Sequence, residues 1–131
     1  MQSAAILDAL VANGCLFVVV GSTARALCGE AVVPNDLDIV VDASSEQRPL
    51  LLRALISVHA QVHTRHGLEP LSTTTRLPWE WGFNTVTPVG EVDVVGQFID
   101  GSTFDDQRAH AVSVQFGPHG SVWCHPTRWA A

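Results

Sequence analysis

Residues 18–42 read VVVGSTARALCGEAVVPNDLDIVVD, and this stretch decides the fold. Cys15 to Val20 is a continuous, β-branched run, the pattern of a strand buried on both faces. It breaks at Gly21-Ser22, where a short helix, Ser22 to Cys28, is expected, with Gly29 past its end. A second buried strand follows at Leu37 to Val41. It carries Asp36 and Asp38 one residue apart, and a carboxylate in a buried strand is costly unless something compensates it. Side chains alternate faces along a strand, so Asp36 and Asp38 point the same way, roughly 7 Å apart. Leu37, Ile39 and Val41 face the other way and can pack under a helix. Asp42 shares the parity of the pair but lies at the far end of the strand, where it reads as a loop-facing residue.

Outward from this stretch the chain reads as one mixed α/β domain. Ser3 to Ala12 has helical apolar spacing (Ile6, Leu7, Leu10, Val11) and stops at Asn13-Gly14. Ser44 or Ser45 is expected to cap a third helix running to about Ala60, with Pro49 in or near its first turn. The second half is rich in antiparallel patterns. QVHTR (61–65), STTTRL (72–77) and FNTVT (83–87) look extended, and EVDVVG (91–96) is a strand joined to the previous one by a turn at Pro88-Val89-Gly90. AVSVQF (111–116) and SVWCH (121–125) form a closing hairpin.

Composition narrows the chemistry. The chain has 131 residues, 47% of them apolar, which suits a single globular core. No apolar run approaches a membrane span, and the N-terminus reads as a helix rather than a secretory signal, so a cytoplasmic location is expected. The net charge is −6, which leaves no overall basic footprint for nucleic acid. All seven basic residues are arginines. Without lysine there is no Schiff-base chemistry and no P-loop, so phosphate contacts fall to arginine, backbone N–H groups or a metal. Cys15, Cys28 and Cys124 are odd in number and dissimilar in context, and read as buried thiols.

The candidate site has two halves. Gly21 lets a phosphate approach the main chain, and the start of the helix offers unpaired N–H groups to an anion. Ser22 can cap that helix and donate to a phosphate. Arg25, on the same face, is placed either to neutralise further charge or to pair with Glu30 or a carboxylate of the site. Asp36 and Asp38 would hold a cation. Asp93 stands mid-strand between Val92 and Val94 and can act as general base if its strand lies beside theirs, with Glu91 at the rim. Zinc has little support: His59, His63, His66 and Cys124-His125 lack a paired cysteine motif. Trp79 and Trp81 can stack a base or cover the core or an interface, and the latter is preferred. Trp123 and Trp129 read as packing residues.

Gly21-Ser22, a following helix, D-x-D on the next strand and a later lone Asp93 resemble the DNA polymerase β-like nucleotidyltransferase superfamily. The similarity spans roughly Phe17 to Phe98 and is greatest to its small bacterial members, the minimal and abortive-infection toxin-like nucleotidyltransferases. The resemblance implies an α/β (α+β) nucleotidyltransferase fold, a mixed twisted sheet with helices mainly on one face. It implies two Mg²⁺ (or Mn²⁺) ions on Asp36, Asp38 and Asp93, and NTP as substrate, its triphosphate at Gly21 and Ser22. The activity implied is transfer of an NMP to an acceptor hydroxyl of RNA, protein or a small molecule, in a toxin–antitoxin setting. The alternative is a catalytically degenerate antitoxin or binding subunit of the same fold. Residues 1–131 are expected to form a single domain without the C-terminal helical extension of many relatives. Antiparallel edges and high apolar content suggest a homodimer or a partner protein.

Overall fold

The computed structural model describes residues 3–34 and 36–128. Its centre is an eight-stranded mixed sheet in the order β4-β3-β5-β6-β2-β1-β8-β7. The strands are β1 (Phe17–Val20), β2 (Leu37–Val41), β3 (Gln61–Thr64), β4 (Gly67–Pro70), β5 (Gly82–Thr87), β6 (Gly90–Val95), β7 (Val112–Gln115) and β8 (Ser121–Cys124). Two pairings are parallel, β2 with β6 and β1 with β8, and the rest are antiparallel. The helices are α1 (Ala4–Ala12), α2 (Gly21–Leu27), α3 (Arg48–Ser57) and α4 (Phe104–Ala109).

Strand alternation creates two apolar layers. Phe17, Val19, Leu37, Ile39, Val41, Val92 and Val94 face the layer filled by α1 and α3, with Ile6, Leu7, Leu10, Leu51 and Leu55 against them. Burying each of those helix side chains contributes roughly 1.5–3 kcal/mol, so this layer carries most of the cohesion. Ala24 of α2 joins the same layer. On the opposite face Val18, Val20, Val40 and Val95 pack with Phe98 and with Phe104 of α4. The helices therefore lie mainly on one face, and α4 covers only part of the other.

The structure departs from the sequence reading at several points. α2 begins at Gly21, and Val20 is its N-cap with no side-chain cap, so Ser22 lies inside the helix and does not cap it. α3 starts at Arg48 with Pro49 in its first turn; Ser44 caps the turn that leads into it, its Oγ accepting the Gln47 N–H at 3.4 Å, while Asp42 accepts the Ser44 N–H. β1 starts at Phe17, two residues later than expected. Residues 72–75, read as extended, form a turn in which Ser72 N–H donates to Thr75 Oγ1. β4 and α4 were not anticipated. α4 is held by a reciprocal capping box between Thr103 and Asp106. All three cysteines are free, but only Cys124 is buried; Cys15 is half-buried and Cys28 exposed. Trp79 packs edge-on against Phe83, and Trp123 packs against Phe104 under the Arg108 guanidinium, whereas Trp81 is 60% exposed. Trp129 lies outside the described residues.

Candidate active site

β5, β6, β2 and β1 are consecutive in the sheet, and their registers align one row of residues across it. Asn84 pairs with Asp93, Asp93 with Asp38, and Asp38 with Val20. Residues opposite one another on neighbouring strands share a face. Asn84, Asp93 and Asp38 therefore stand side by side, and the row ends where β1 gives way to Gly21.

Gly21 has φ +70°, a backbone conformation that a side chain makes costly. A Cβ placed there would lie 2.7 Å from Oδ2 of Asp38. The Asp38 carboxylate is thus pressed against bare main chain, and glycine is required twice over. Within the row, Asn84 Nδ2 donates to Asp93 Oδ1 at 2.5 Å. Asp38 lies directly opposite Asp93 across β2 and β6, close enough for Asp93 to act on its carboxyl. Asp36 is held from the other side: the buried Thr23 hydroxyl of α2 donates to its carbonyl oxygen at 3.3 Å.

The charges follow from this crowding. Burial first, then the hydrogen bond to Asp93 and its charge, then the charge of Asp36, push the Asp38 carboxyl up to about 7. Glu91, exposed at the rim, is also raised. The charge of Asp36 is the main cause, and His63 on β3 opposes it. Four carboxylates, Asp36, Asp38, Glu91 and Asp93, therefore share one field at the same end of β2 and β6. Among the described residues no three His, Cys, Asp or Glu side chains are arranged to hold a metal ion as they stand.

The structure brings Asp36, Asp38 and Asp93 together with Gly21. Its account of the other half differs from expectation. The Gly21 N–H is not unpaired, because it donates to the Arg128 carbonyl at 3.0 Å. Arg25 ion-pairs with Glu30, through Nε and one terminal nitrogen at 3.2 Å each. Asp42 stays at the far end of β2, where a cavity of about 270 Å³ opens between it, Trp79 and Phe104, away from the carboxylates. Sequence reasoning missed Asn84. The β5–β6 turn holds only Pro88 and Val89, with Thr87 paired to Gly90; a turn over residues 88–90 would instead have put Thr85 opposite Asp93, so a one-residue error in turn length hid Asn84.

No family model matches the chain, and no curated protein is significantly similar to it. Among solved structures, a Thermotoga maritima protein described as a "putative nucleotidyltransferase" matches with a TM-score of 0.56 and 23% identity, over 91% of this chain and 73% of that one. The likeness is one of fold: the mixed sheet with helices mainly on one side is the nucleotidyltransferase fold.

Proposed function

We propose that the protein is a divalent-metal-dependent nucleotidyltransferase that moves an NMP from an NTP to an acceptor hydroxyl. The observation that carries this reading is the row Asn84–Asp93–Asp38 ending against the side-chain-free Gly21. Asp38 and Glu91 have raised proton affinity among their acidic neighbours, so the cluster is short of positive charge. Its donors are all carboxylate oxygens, which suit Mg²⁺ or Mn²⁺ rather than zinc.

Asp36, Asp38 and Asp93 would hold the metal, which would neutralise charge on the triphosphate. Asp93, oriented by Asn84, would accept the proton of the acceptor hydroxyl. The acceptor oxygen then bonds to the α-phosphorus as the bond to pyrophosphate breaks. The triphosphate would lie at the start of α2, beside the Asp38 carboxylate that abuts Gly21, with Ser22 and Arg25 flanking it. The Gly21 N–H itself is committed to Arg128. Titration calorimetry with NTP and Mg²⁺ tests the reading. Binding should be lost in Asp38→Asn and Asp93→Asn, and unchanged binding in both would refute it. Mass spectrometry of protein, RNA and small-molecule acceptors after incubation with labelled NTPs would identify the acceptor.

A second reading is a degenerate subunit of the same fold that acts through a protein partner, as an antitoxin would. It is favoured by the Arg128 carbonyl lying on the Gly21 N–H at the start of the helix. It requires that the wild type show no turnover and that Asp93→Asn keep the partner.

A further inference from the structure

Among the described residues the sheet has two free edges, β4 and β7. An open edge presents unpaired main-chain groups, and proteins usually blunt it with charge or proline. β4 has both, in Glu69 and Pro70, and its turn holds Arg65 and His66. β7 has neither: residues 111–116, Ala-Val-Ser-Val-Gln-Phe, contain no charge and no proline in a chain of net charge −6.

The hairpin fixes which way the main chain of β7 points. Phe116 N–H donates to Gly120 O at 2.8 Å, toward β8. Hydrogen-bonding direction alternates along an antiparallel strand. Val112, Val114 and Phe116 therefore bond toward β8, while Ser113 and Gln115 aim their N–H and C=O groups at the open edge. Val112, Val114 and Phe116 also share one face, where Val114 and Phe116 pack at the margin of the core and Val112 is 50% exposed.

We infer that β7 pairs antiparallel with β7 of a second copy, about a two-fold axis at Val114. In this register Val114 faces Val114, Val112 faces Phe116, and Ser113 faces Gln115. Apolar side chains meet on one face and polar ones on the other. The outward groups of Ser113 and Gln115 exchange main-chain hydrogen bonds with their counterparts. Two acidic chains meet along a neutral strip, so no like charges are opposed. A two-fold axis at Ser113 would instead leave Phe116 facing His110.

Sedimentation of the full chain over a wide concentration range should show a monomer–dimer equilibrium. Ser113→Pro removes only an outward-pointing N–H, which an edge strand tolerates. It should give a monomer with an unchanged circular dichroism spectrum and melting temperature. Should that variant fail to fold, cysteine cross-linking decides instead. The background is Cys28→Ser, because burial pushes the remaining thiols of Cys15 and Cys124 up to about 11 and about 12. There Val114→Cys should form an intermolecular disulfide on mild oxidation, since directly opposed residues of a non-hydrogen-bonded pair are within bridging distance. Ser113→Cys should not. A wild type that stays monomeric throughout, a dimer that survives in folded Ser113→Pro, or cross-linking through position 113 and not 114 would each overturn the inference.

Discussion

Gly21→Ala tests the centre of the site without touching a charge. Two costs are expected. Alanine at φ +70° carries roughly 1–2 kcal/mol of backbone strain. Its Cβ would also sit 2.7 Å from Asp38 Oδ2, so the carboxyl must leave its rotamer, at a further cost of about 1 kcal/mol. The sum is about 2–3 kcal/mol. For a chain of this length 1 kcal/mol shifts the melting point by roughly 4 °C, so Gly21→Ala should melt about 8–12 °C lower. A double-mutant cycle separates the two costs. In an Asp38→Ala background the carboxyl is gone and only the strain remains, a loss of about 4–8 °C. The assay is thermal unfolding by circular dichroism for all four proteins. An equal loss in both backgrounds would refute the contact, and no loss in either would refute the backbone conformation as well.

The Asp38 carboxyl, normally near 3.8 and raised to about 7, keeps its proton in the folded state over a range where the unfolded chain has released it. Its contribution to stability is therefore complete below about pH 4 and fades as pH rises through 7, so urea unfolding should show a decline that Asp38→Asn flattens. Asp100, lowered to about 2 by hydrogen bonds from Ser102 and Arg128, works in the opposite sense, and its contribution is lost as pH falls from about 4 through 2. Asn84→Ala removes the donor to Asp93 and should cost about 1 kcal/mol in urea unfolding while weakening Mg²⁺ affinity by calorimetry; unchanged affinity would show that Asn84 does not orient the site. Thr103→Ala opens the capping box of α4 and should cost about 1 kcal/mol by the same unfolding assay.

The sequence announced the pieces of the site more clearly than their meeting. Alternation in Leu37–Val41 and around Asp93 separates carboxylates from core residues, and the structure keeps that separation. The pairing of Asp38 with Asp93 was not derivable from residues alone. β2 and β6 are parallel and about fifty residues apart, with no turn to set their register, so their adjacency came only from the resemblance. β4 was illegible because all four of its residues are exposed and leave no alternation to read. α4 had a readable signal, Thr103 three residues before Asp106, but six residues are too few for a helical period to stand out. Ser44 does cap the turn ahead of α3, but the helix proper starts one turn later, at Arg48, where Pro49, which suits a first turn, was the better marker.

α4 carries none of the proposed chemistry, yet it decides where chemistry is possible. Asp38 and Val40 share one face of β2, as Asp93 and Val95 share that face of β6. A single residue separates the members of each pair, but Val40 and Val95 are sealed beneath Phe98 and Phe104, whereas Asp38 and Asp93 stay half-buried. A carboxylate one row further along would lie under α4, with no water and no cation, a position that proteins avoid. The same carboxylates fully in water would titrate as ordinary acids. The proton affinity of Asp38 depends on its place at the border, where burial and a neighbouring charge act together on a group that a ligand can still reach. The edge of α4, set by its capping box, is therefore what positions that border on an otherwise uniform sheet face.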